Sequence, residues 1–155
     1  MKLAEALMTR ADLQRRIAQA QERIRQNARY QEGEEPAEDA AALVDEVSRS
    51  LDRLEELVVA VNLTNASVLL ADGRTMTAAL ARRETLRARH SLLSSAADAA
   101  QGGGGGGFRQ LRSELRQFAA LPVAELRRQA DDTARELREL DVEIQRTNWE
   151  ADLTT

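Results

Sequence analysis

Val44-Asp45-Glu46-Val47-Ser48-Arg49-Ser50-Leu51-Asp52-Arg53-Leu54-Glu55-Glu56-Leu57-Val58-Val59-Ala60-Val61-Asn62-Leu63-Thr64-Asn65 decides the fold class. Val44, Val47, Leu51, Leu54, Val58, Val61 and Asn65 alternate spacings of three and four, a heptad seam kept over three heptads. At Leu57-Val58-Val59-Ala60-Val61 apolar side chains nearly encircle the helix, and a helix in that state is buried on several sides. A chain of 155 residues with 3% aromatics has little core to surround it. The stretch Leu57–Leu63 therefore reads as a subunit interface, with Leu57, Val58 and Val61 as its candidate contact residues.

Three more segments carry helical periods. Ala6, Arg10, Leu13, Ile17, Ala20 and Ile24 form a stripe interrupted by Arg10, within a helix expected over about 3–29. Met76, Leu80, Arg83, Leu86, His90, Leu93 and Ala97 mark the face of a helix over 76–100. Leu126, Ala130, Thr133, Leu137, Leu140, Ile144 and Thr147 mark the face of one over 122–148, which Pro122 opens. The central helix is expected over 37–65. One such rod cannot bury its stripe alone, so the rods must pack on one another. The expectation is a single all-α domain: an antiparallel bundle of long helices, or helical hairpins.

The connections have their own signals. Gly33 suits a helix stop and Pro36 the first turn of the next helix. Glu32, Glu34 and Glu35 lie between them, and negative charge near a helix N-terminus favours its dipole. The competing reading of these acids is a cation site or a basic partner's site. Asn62, Thr64, Asn65 and Ser67 are poor helix formers. Val68-Leu69-Leu70 permits a short extended piece, and Asp72-Gly73 is a turn signal, so a small β-hairpin is expected near Val68–Leu70. Thr75 or Thr77 then caps the third helix. Gly102–Gly107 reads as a flexible linker. Phe108, Leu111, Leu115 and Phe118 fit a short helix, while Leu115, Gln117 and Ala119 also permit a strand against Val68–Leu70. The tail Glu150–Thr155 is expected to fray.

Composition agrees with rods. Ala (27) and Leu (21) dominate, and both lose little freedom in a helix. The chemistry of most enzyme classes is missing. With one histidine and no cysteine there is no nucleophile held against a base, and no zinc ligand cluster. His90 has no glutamate three residues before it, so the di-iron bundle pattern is absent. Adjacent pairs such as Glu55-Glu56 do not share a helix face and make no acid–base dyad. A net charge of −4 gives no bulk attraction to nucleic acid. The longest uncharged run outside the glycines, Leu57–Ala71, is 15 residues, too short to span a bilayer as a helix. The charged start Met1-Lys2-Leu3-Ala4-Glu5 lacks the apolar core of a signal peptide.

Three ordered motifs then carry a resemblance over nearly the whole chain. They are Gln31-Glu32-Gly33-Glu34-Glu35-Pro36, Asn62-x-Thr64-Asn65 before Asp72-Gly73-Arg74-Thr75-Met76-Thr77, and Arg138-Glu139-Leu140-Asp141-x-x-Ile144-Gln145-x-x-Asn148-Trp149. The set resembles a family of small bacterial helical proteins often labelled septicolysin. The glycine run departs from the family pattern, as does Ala78, where a glutamate would complete a capping box with Thr75. The resemblance implies a helical fold and no catalytic residue. Asn62, Asn65, Asp72, Arg74, Asn148 and Trp149 either satisfy polar groups structurally or share a site where the two bundle ends meet.

The expected function is a non-enzymatic, cytoplasmic helical protein acting through self-association or partner binding, a homo-oligomer with no cofactor, metal or nucleic acid. The alternatives are a membrane-active protein that releases Leu57–Ala71, and a regulator binding a metal or small ligand at Glu32–Glu35 or His90.

Overall fold

The structure is a computed structural model that describes residues 1–102 and 117–154. The glycine run beyond Gly102 lies outside the described residues, as do Phe108, Leu111 and Leu115. The fold is all-α. Its helices are α1 (Leu3–Asn27), α2 (Ala40–Ser67), α3 (Met76–Ala100) and α4 (Val123–Glu150). They distribute into two compact units, Met1–Met76 with Gln145–Thr155, and Thr77–Ile144.

In the first unit α1 and α2 pack antiparallel. Ile17, Ala20 and Val47 are buried together, with Ile24 and Leu54 packed against them. The Lys2 backbone N–H donates to the Glu5 carboxylate at 2.8 Å, satisfying one of the free donors at the start of α1. The connection is held by side chains. Asn27 donates from Nδ2 to the Arg23 carbonyl and accepts the Glu38 N–H at Oδ1, at 2.9 and 3.0 Å. The Arg23 guanidinium forks onto the Glu38 carboxylate. That hydrogen bond holds the Glu38 carboxyl below the usual carboxylate range.

Two boundaries differ from the expectation. The start of α2 is set by Asp39, not Pro36: the Asp39 carboxylate accepts the N–H of Ala41 and of Ala42 at 2.9 and 3.1 Å, as an N-cap does. Gly33 does take positive φ, +88°, but in a turn closed by Glu34 N–H on the Gln31 carbonyl, after α1 has already ended at Asn27.

α2 runs on to Ser67 despite its poor helix formers. The Thr64 and Ser67 hydroxyls donate back to the carbonyls of Ala60 and Leu63, so these residues spend their side chains inside the helix. A tight hairpin follows. Leu70 N–H bonds the Arg74 carbonyl at 2.9 Å, Met76 N–H bonds the Val68 carbonyl at 2.9 Å, and Leu69 faces Thr75 in a single antiparallel bridge. Gly73 sits at φ +83°, the left-handed position that closes a three-residue hairpin loop. Leu69 thus has a local partner in Thr75, and Leu115 of the alternative strand lies outside the described residues.

The tail does not fray. Leu3 N–H donates to the Ala151 carbonyl, Leu153 N–H to the Met1 carbonyl, and Lys2 bridges to Asp152. The Thr154 N–H donates to the Thr64 hydroxyl at 2.8 Å. The two ends of the chain therefore pair with each other and with α2.

The seam on α2 is rotated from the one the spacing marked. Val47, Leu54 and Val61 do face inward, but Val44 and Leu51 are exposed, 48% and 47%. Leu43, Leu57 and Thr64 are buried instead, one residue earlier in each case.

In the second unit α3 and α4 also run antiparallel. Arg82 pairs with Glu136 at 2.6 Å and Arg127 with Asp98 at 2.6 Å, which matches early α3 to late α4 and the reverse. Exposed pairs like these contribute at most about 1 kcal/mol each, so they set register more than stability. Burial of Ala79, Leu86, Ala97, Ala130, Leu140 and Ile144 contributes more. Along both helices every face-marking residue is buried or half-buried.

Candidate functional site

On the first unit a groove of about 830 Å³ runs along α2 from Asp52 to Leu63. Leu57, Val59, Ala60 and Leu63 line it from α2, and Thr9 from α1. Met1 and Leu153 line it as well. They stand together because Leu153 N–H bonds the Met1 carbonyl at 2.9 Å. The Lys2 ammonium reinforces that pairing, at 2.8 Å from the Asp152 carboxylate. The Lys2 hydrogen bond, with its charge second, keeps the Asp152 carboxyl below its usual range.

Apolar surface is left open to solvent here. Val59 is 52% exposed, Leu63 53% and Met1 59%. Asp52, Glu55 and Glu56 line the groove towards the middle of α2, with Arg53 among them. An apolar trough with a polar, predominantly acidic rim is the chemistry of a protein-docking surface.

Of the residues marked from sequence, Leu57 lines this groove, though it is itself buried. Val58 is half-buried, and Val61 is 1% exposed, a core residue and not a contact residue. The exposed members, Val59 and Leu63, are the ones the heptad frame passed over. Met1 and Leu153 carried no sequence signal at all, because they join the groove only through pairing of the chain ends.

The polar candidates lie on several elements. Glu32, Glu34 and Glu35 are exposed in the α1–α2 connection. Among the described residues no cluster of histidine and acidic side chains is placed to hold a metal ion. Asp72 and Arg74 are brought together, by an ion pair at 2.7 Å and by the Arg74 N–H on the Asp72 carboxylate at 3.1 Å, and both contacts serve the turn at Gly73. Asn62 is exposed and Asn65 half-buried. Asn148 is buried and Trp149 is 55% exposed. A hydrogen bond from the Thr154 N–H to the Thr64 hydroxyl joins the tail to α2 one residue from Asn65. His90 is half-buried on α3.

A family model described as "Family of unknown function (DUF6847)" matches residues 10–153. The chain belongs to this family. A solved structure, the crystal structure of a functionally unknown conserved protein from Corynebacterium diphtheriae, shares 36% identity and a TM-score of 0.86, covering 99% of this chain and 99% of that one. No curated protein matches. These matches support the coarse resemblance, a family of small helical proteins of unknown function with a bacterial member. The septicolysin label stands in neither description.

Proposed function

We propose that the chain is a non-enzymatic protein that works by association, and that the groove on α2 is the associating surface between copies. One observation carries this reading: Val59 and Leu63 stand half-exposed in an apolar trough instead of being covered. Covering such surface gains roughly 25 cal/mol per Å² of apolar area, a driving force without any chemistry at the site. Membrane activity, the other implication of the septicolysin label, gains nothing comparable. Among the described residues no helix is long and apolar enough to cross a membrane. Within Leu57–Ala71, moreover, Val61, Thr64 and Leu70 are buried.

Size-exclusion chromatography with light scattering at micromolar concentration tests the proposal. The expected mass is a multiple of the 17.2 kDa chain. The pair Val59→Glu and Leu63→Glu should return it to one chain with unchanged helical circular dichroism. A wild-type protein with the mass of one chain at every concentration overturns the reading. Val61 is unsuited to this test, because a charge at a position 1% exposed unfolds the unit.

A further inference from the structure

The groove on α2 has two ends of different chemistry, acidic at Asp52, Glu55 and Glu56 and apolar from Leu57 to Leu63. Such a surface does not complement itself. Two copies with α2 running parallel across the contact would set acid against acid. Two running antiparallel would bury the acids on Val59 and Leu63. The surface that fits is a different one, basic at one end and apolar at the other.

The outer face of α4 has that order. Arg135, Arg138, Val142 and Trp149 follow one another at three, four and seven residues, which keeps them on one side of the helix. All four are exposed. Val142 is 65% and Trp149 55% exposed, so two large apolar side chains stand in water about 10 Å apart along the helix. Arg135 pairs with Asp132 one turn away, but both side chains are exposed and such a pair is weak and readily exchanged.

The spacing on the two helices matches. Glu55 and Asp52 lie four and seven residues before Val59, and Arg138 and Arg135 lie four and seven before Val142. With Val142 laid on Val59 and the helices parallel, the two arginines fall opposite the two carboxylates. Trp149 then lies beyond Leu63. The Thr154 N–H bonded to the Thr64 hydroxyl puts the wall of Met1 and Leu153 at that end.

We infer that the groove on α2 receives α4 of a second copy, with Arg135 and Arg138 against Asp52 and Glu55, Val142 against Val59, and Trp149 beyond Leu63. The inference rests on the association reading above and names its contact. Apolar burial supplies the affinity, and the charges fix the direction in which the helices run.

Charge reversal in the full chain is the test. One variant carries Arg135→Glu and Arg138→Glu, the other Asp52→Arg and Glu55→Arg, all at exposed positions. By light scattering, each alone should need at least ~10-fold more protein than the wild type to assemble. An equimolar mixture of the two should assemble as the wild type does, because each variant's α4 then meets a groove of opposite charge. Val142→Glu with Trp149→Glu, which leaves both arginines and both carboxylates in place, should weaken assembly as much. If the wild type assembles through Val59 and Leu63 while these variants assemble equally, this inference fails and the association reading stands. Charge variants that lose assembly and do not recover it on mixing also overturn it. A wild type of single-chain mass at every concentration removes the association reading itself, and this contact with it.

Discussion

Gly73 shows how one residue sets a local path. Its φ of +83° lies where an L side chain is strained, yet a Cβ placed there meets nothing within 4 Å. The cost of Gly73→Ala should therefore come from the backbone alone, about 1–2 kcal/mol. Urea denaturation measures it, and Gly73→Asn should cost less, because asparagine tolerates that region better. Equal losses for the two variants would locate the effect elsewhere. Thr64 is the opposite case, a polar residue with no exposure that is fully used. Its hydroxyl donates to the Ala60 carbonyl and accepts the Thr154 N–H. Burial without such partners would cost about 1–3 kcal/mol.

At the scale of the element, α2 carries two interleaved apolar seams. They share Val47, Leu54 and Val61. One completes itself with Val44, Leu51, Val58 and Asn65, the other with Leu43, Ser50, Leu57 and Thr64. The fold buries the second: Leu43, Leu57 and Thr64 are covered while Val44 and Leu51 are exposed. Val44→Glu is accordingly expected to change stability by less than about 1 kcal/mol, whereas Leu43→Glu, at a site 5% exposed, should abolish cooperative unfolding. Thermal melts by circular dichroism separate the two, and the reverse ranking would show that the other seam faces the core. The surplus apolar residues of an over-dressed helix stay at the surface, and Val59 and Leu63, 52% and 53% exposed, are among them.

For the molecule as a whole, the pairing of the chain ends has a pH signature. Asp152, held by Lys2, and Glu38, held by Arg23, both keep their carboxyls below the ordinary range through those hydrogen bonds. A carboxyl lowered in the folded state contributes stability that is complete above its unfolded value. That contribution is lost as pH falls through the lowered folded value. Amide exchange at Leu3 and Leu153, whose N–H groups pair the ends, should therefore lose protection below about pH 4, once the intrinsic pH dependence of exchange is removed. Asp152→Asn should remove that acid-dependent step and leave the Gly73 turn unaffected. An unchanged acid profile in this variant would show that the Lys2 pair does not hold the ends.

Helix type and the inward faces of α1, α3 and α4 were legible in the residues, because a period of 3.6 is a local property and each of those helices has one apolar stripe. The turn at Asp72-Gly73 was legible for the same reason, since positive φ is a demand that glycine meets by itself. The face of α2 was not legible: two seams of similar hydrophobicity are separated only by what they pack against. Nor was the candidate site, beyond its place near Leu57–Leu63. Met1 and Leu153 are at opposite ends of the chain, and only tertiary hydrogen bonds set them side by side in one wall of the groove.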